Sequence, residues 1–298
     1  MVPSDQPQTA EPEKTLRVQT LGGFRVWRDG AEVPAGAWNR EKALHLFQLL
    51  VTLRRQSTRF HKEQIIDLLW PEFDAARGDR DFKVALNALH KAIEPERAPR
   101  ADPYFLRRHE LTYGLYFEAI QIDADAFEQA VAAGNRALET DDARAIDHFR
   151  AALDLYHGDY LPARRYEDWS SAERERLQVL ALNAMTSLAH LLLTRVPQES
   201  IRLTERVLSV DPIWEDAYRI QMRAYAAQGN RPMALRVYQR CVATLERGGH
   251  SPAAADHGAL HGDSRGNPCN LTVTRLVYTT TVPRPGRLPC AQREVRIE

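Results

Sequence analysis

From Leu16 to Val33 the chain reads LRVQTLGGFRVWRDGAEV, where Leu16, Val18 and Thr20 fall on alternate positions, as do Phe24, Val26 and Arg28. Turn residues interrupt the alternation at Gly22-Gly23 and Asp29-Gly30. A period of two broken by turn formers predicts a small antiparallel sheet. The period then changes. In REKALHLFQLLVTLRR, Ala43, Leu46, Phe47, Leu50 and Leu53 recur at helical spacing and form one apolar face. KEQIIDLLW predicts a second helix that stops at Trp70-Pro71, because proline disfavours helix in the residue before it. A third helix is expected from Arg77 to Ile93, with Phe82, Leu86, Leu89 and Ile93 on one stripe and Arg80, Lys83, Asn87 and Lys91 on the opposite side. Glu94-Pro95 ends it, and YFLRRHELTYGLYF reads as two short strands joined near Arg108 to Leu111. A sheet, three helices and a hairpin, in that order, match a winged helix preceded by a small sheet.

From Asp123 onward the alternation disappears. Helical periods predict Asp123 to Ala133, Ala143 to Tyr156, Trp169 to Arg195, Gln198 to Val210, Ile213 to Gln228 and Pro232 to Arg247. An offset of about 34 residues, the tetratricopeptide period, aligns Ile201 with Leu235, Arg202 with Arg236, Arg206 with Arg240 and Leu208 with Val242. Asp211-Pro212 sits where such repeats turn from one helix to the next. The expected fold is mainly α with a small β component: residues 16–118 a winged helix, residues 119–247 a tetratricopeptide-like helical domain. Residues 1–15, rich in Pro, Gln and acids, are expected to be a disordered arm. Residues 248–298 turn abruptly to Gly, Pro, His, Thr and Cys and are expected to be a disordered or atypical tail.

The chain has 298 residues, room for about two domains. Its 40 basic and 40 acidic side chains cancel, but the cancellation is a sum over unlike parts. Residues 1–118 carry 18 basic and 17 acidic groups, residues 119–246 carry 15 and 19, and the remainder 7 and 4. Bulk charge therefore identifies no nucleic-acid binder, and only placement can. The N-terminus lacks the basic and apolar regions of a signal peptide. The apolar run Val179 to Val196 holds Asn183, Thr186, Ser187 and His190, so a helix in a protein core is expected and no membrane partner. Cys241, Cys269 and Cys290 form no CxxC and have no histidine at ligand spacing. Neither a zinc site nor a disulfide framework is indicated, and a cytoplasmic protein is expected.

No phosphate loop, dinucleotide fingerprint, HExxH or GxSxG occurs, so no catalytic residue, cofactor or metal is assigned and no enzyme is expected. Asp123, Asp125, Asp141 and Asp142 lie at helix starts, where carboxylates favour the helix dipole. The third helix is the candidate site. Arg and Asn can bind base edges in bidentate fashion and Lys can neutralise phosphate, so Arg80, Lys83, Asn87 and Lys91, with the adjacent His90, are candidate DNA contacts. Arg107 and Arg108 at the hairpin are candidates for a wing. Arg40 and Lys42 sit at the start of the first helix, where cations oppose the dipole and hint at a phosphate partner. The alternative is a tetratricopeptide interaction scaffold without DNA binding.

LRVQTLGGFRVWRDG, DLLWPE, FKVALNALHKAIEP, YFEAIQIDADAFEQAVAAG, LYHGDYLP and EDWSSAERERL, in this order, resemble the Streptomyces antibiotic regulatory protein type of transcriptional activator over about Leu16 to Arg247. The resemblance implies a winged helix similar to those of PhoB-like response regulators, joined to a bacterial transcriptional activator domain. It implies a recognition helix from Gly78 to Ile93, double-stranded promoter DNA bound at direct repeats by paired molecules, RNA polymerase as a partner, and a place at the nucleoid. Two departures stand out. His61 occupies the position where relatives carry Ser or Thr, which predicts a second helix cap weaker by about 1 kcal/mol. LERGGHSP breaks the family's pattern near Gly248.

Overall fold

The computed structural model describes residues 14–247 apart from Asn39; the expected arm up to residue 13 and the tail, with Cys269 and Cys290, lie outside the described residues. Strand β1 (Leu16–Gln19) buries Leu16 and Val18 and pairs antiparallel with β2 (Arg25–Arg28), whose Val26 faces the same core. On the outer face the cross-strand pair Arg17 and Trp27 stacks, guanidinium over ring at 4.1 Å. Asp29 and Gly30 have φ of 49° and 85°, the left-handed pair that a two-residue hairpin loop requires, and they lead into β3 (Ala31–Glu32).

Helix α1 (Glu41–Leu53) holds the five expected apolar positions and more: Gln48, Leu49, Val51 and Thr52 are buried as well. It is covered on nearly every side. Strand β4 (Phe60–His61) leads into α2 (Lys62–Leu69). His61 keeps the cap that its identity was expected to weaken. The Glu63 N–H donates to its Nδ1 at 3.4 Å, and its own N–H donates to Gln64 Oε1 at 3.1 Å. Helix α3 (Ala75–Ile93) follows, then β5 (Leu106–His109) and β6 (Thr112–Leu115), which form with β4 a three-stranded sheet in the order β4-β6-β5.

Strand β7 (Ile120–Ile122) was not expected. It adds in parallel to the free edge of β1, placing Ile120 opposite Leu16 and Ile122 opposite Val18, and completes a sheet in the order β3-β2-β1-β7. Three residues cannot announce a partner a hundred positions away. Six helices come next, close to where the helical periods put them: α4 (Asp123–Ala137), α5 (Asp142–Leu155), α6 (Asp168–Leu192), α7 (Pro197–Val210), α8 (Glu215–Ala227) and α9 (Arg231–Arg247). The 34-residue register holds for burial at Ser200 and Ala234 and at Val207 and Cys241. It fails at Leu235, which is 47% exposed where its counterpart Ile201 is buried.

The two halves share one core, which runs without a break across residue 118. The half-buried Asp123 carboxylate, at the start of α4, accepts from the N–H groups of Thr20, Leu21 and Ala124 and from the Thr20 hydroxyl. The loop between α5 and α6 stitches back to the first sheet: Gly22 N–H donates to the Asp159 carbonyl, and Leu161 N–H to that of Thr20. Leu161 is held there in the left-handed region, at φ 43°. Tyr160 is fully buried, its hydroxyl 2.9 Å from Thr52 Oγ1 on α1. Because Thr52 donates to the Gln48 carbonyl, the tyrosine is the donor of this pair. The motif LYHGDYLP is thus a clasp between the helical half and α1.

Candidate nucleic-acid interface

Helix α3 is positioned from both ends. Asp74 Oδ1 accepts the Arg77 N–H at 2.8 Å and caps the start. At the other end the buried Glu94 carboxylate accepts from the N–H groups of Tyr104 and Phe105, folding the following segment back. A Cβ on Gly78 would lie 2.6 Å from Ile66 Cγ2, so only glycine lets α2 and α3 approach this closely. Phe82 is fully buried, edge-on to Tyr113 of β6 at 4.9 Å between centroids, and Ala85, Leu89 and Ile93 continue the buried stripe.

The opposite side carries Arg80, Lys83, Asn87 and Lys91, all exposed, at spacings that return to one stripe of a helix. The side chains of Arg80, Asn87 and Lys91 make no hydrogen bond or ion pair with the described residues. Lys83 is 68% exposed and 2.7 Å from Asp79, which also binds Lys62 of α2. Hydrogen bonds from these two lysines pull the Asp79 carboxyl down to about 2, so it is charged at neutral pH. Asp79 thereby ties α2 to α3 and places Lys83 at the edge of the face. This role depends on the approach of α2 to α3 and has no local signature.

Two of the expected contacts do not share the face. His90 is 7% exposed, and burial pushes its imidazole down to about 4, so the ring is neutral at pH 7. Its position beside Lys91 in the sequence puts it a hundred degrees around the helix, under the returning segment. Lys42 is committed to the protein: its ammonium is 2.7 Å from Asp81 of α3 and lies over the rings of Phe73 and Trp70 at 4.8 and 5.4 Å. It joins α1 to α3. Arg40, the N-cap residue of α1, is exposed.

On the hairpin, Arg107 and Arg108 are exposed, and the loop between the strands is Glu110-Leu111, with Glu110 at φ 54°. The Arg107 guanidinium stacks over Tyr116 at 3.6 Å, and Arg108 Nε donates to the Glu110 carbonyl at 2.7 Å. Both arginines are pre-oriented by neighbours that leave donors open. Arg77, which helical periodicity does not single out, is similar: it stacks on Phe73 at 3.8 Å in the first turn of α3 and is 54% exposed. Among the described residues no group of three or more His, Cys, Asp or Glu could hold a metal ion, and no helix is long and apolar enough to cross a membrane.

Three helices, a hairpin and one exposed basic stripe define a winged helix-turn-helix unit, here fused to a tetratricopeptide-like helical unit. Residues 122–257 match the family model of the bacterial transcriptional activator domain, and the match runs past Arg247. A winged helix followed by a helical repeat-like unit is the order of elements that the motifs implied. The regulatory protein AfsR of Streptomyces coelicolor is 26% identical over 233 residues, which are 78% of this chain; the chain spans only 22% of AfsR. Mycobacterium tuberculosis EmbR, solved in complex with a low affinity phosphopeptide, shares the fold with a TM-score of 0.71 at 22% identity, over 83% of this chain and 64% of EmbR.

Proposed function

We propose that the chain is a sequence-specific, DNA-binding transcriptional activator that lays α3 in the major groove of promoter DNA. One observation carries the reading. The outer stripe of α3 presents Arg80, Lys83, Asn87 and Lys91 to solvent, while its inner stripe is locked into the core. Arg80 and Asn87 are the base readers, Lys83 and Lys91 the phosphate contacts. Arg107 and Arg108 of the hairpin reach the adjacent backbone as a wing, and Arg40 adds a contact at the start of α1. A protein-docking face favours aromatic side chains, Met and Arg and is depleted in Lys, so the lysines Lys83 and Lys91 on a stripe without an aromatic residue speak against a scaffold without DNA.

The helical domain recruits RNA polymerase, and paired molecules occupy direct repeats. The chain acts by binding and not by catalysis, in the cytoplasm at the nucleoid. Lys83→Glu combined with Asn87→Ala is expected to abolish binding to promoter DNA in a gel-shift assay while the circular dichroism spectrum stays unchanged. Unaltered binding overturns the assignment. Wild-type affinity is expected to fall steeply with salt, because bound phosphates release counterions.

A further inference from the structure

The outer stripe of α3 is not uniformly polar. Val84 lies within it, one turn after Arg80 and three residues before Asn87. It is half-buried, yet it is absent from the side chains packed on the core, whereas Leu86 and Ala88 of the same helix are packed there. A β-branched residue is a poorer helix former than alanine, so neither helix propensity nor core packing accounts for a valine at this place. It forms an apolar spot between two side chains able to read base edges. In the major groove thymine alone offers an apolar feature, its 5-methyl group, and small apolar side chains are its partners.

We propose that Val84 is a specificity-determining residue that reads the 5-methyl group of a thymine, between the base pairs faced by Arg80 and Asn87. The proposal rests on the docking of α3 in the major groove. It deepens that reading by predicting a site where a thymine lies between a guanine read by Arg80 and an adenine read by Asn87. No bond is made or broken; the gain is apolar surface removed from water on both sides.

The test uses the full chain and a duplex enriched by it from a random-sequence pool, with each thymine replaced in turn by deoxyuridine, which removes only the methyl group. One replacement is expected to weaken wild-type binding about fourfold, the effect of burying one methyl group. Val84→Ala is expected to lose a similar factor on the unmodified duplex and to be indifferent to that same replacement. Its urea midpoint should match wild type. The proposal is overturned if no replacement affects the wild type, or if Val84→Ala keeps the full deoxyuridine penalty. If Lys83→Glu with Asn87→Ala binds this duplex as wild type does, the function proposed for α3 fails as well, which separates the two failures.

Discussion

Arginine and carboxylate chemistry takes opposite forms at the junction of the two halves and on the outer face of α3. At the junction the Arg54 side chain, just past the end of α1, is 5% exposed and bonds Asp125 of α4 while lying 3.3 Å from Glu173 of α6. Arg176 bridges Glu173 and Glu128, and Arg55 reaches Glu128 as well, so charges from three helices close on one another. On α3, Arg80 and Lys91 stay in water with no ion pair among the described residues. A charge drawn out of water must find partners, whereas a charge left in water keeps its hydration and stays available to a ligand. The same residue type is architecture in one place and a binding group in the other.

Ending the chain after residue 118 removes the junction altogether. Such a piece lacks β7, Asp123, Tyr160 and both carboxylate partners of Arg54, and it is expected to show no cooperative thermal unfolding. A sharp transition in calorimetry would show that the junction is dispensable. A smaller effect separates two arginines. Arg54→Ala strands Asp125 and leaves Glu173 with Arg176 alone, and should cost about 3 kcal/mol in urea unfolding. Arg80→Ala should stay within about 0.5 kcal/mol of wild type while weakening DNA binding at least about tenfold. Equal stability losses would erase the distinction.

His90 sharpens the contrast between the two sides of α3. Its folded-state pKa, about 4, lies below the ordinary 6.5, so the fold resists protonation of this ring. The stability it permits is complete above pH 6.5 and is lost as the pH falls toward 4, by up to about 3 kcal/mol. Urea midpoints of the wild type and His90→Leu, measured between pH 7 and 4.5, should converge or cross as the acid penalty of the wild type grows; parallel curves would place the ring in water. The smallest effect belongs to Asp79→Asn. Removing a carboxylate beside Lys83 should raise DNA affinity about two- to fivefold, as fluorescence anisotropy would record. A loss would show that its tie to Lys62 positions the helix more than its charge opposes the phosphates.

Much of the fold was legible because a helix declares itself locally. The period that places Phe82, Leu89 and Ile93 on one stripe of α3 also places Arg80, Asn87 and Lys91 on the other, and both follow from 3.6 residues per turn alone. The six later helices were legible for the same reason. Elements whose reason lies elsewhere in the chain were not. The strands β4 and β7 are two and three residues long and exist only against β6 and β1. His90 looked polar and available beside Lys91, but the segment from Glu94 to Phe105 returns over that end of the helix.

Where the helices run and which stripe of α3 is basic follow from local periodicity and side-chain chemistry, which act within a few residues. Which polar groups lie in water follows from packing between distant segments. Tyr160 and Arg54 leave water only where chain segments up to 108 positions apart meet at α1, and Asp123 only where α4 meets the end of β1. Desolvation depends on what covers a group, and that cover is supplied by distant parts of the chain.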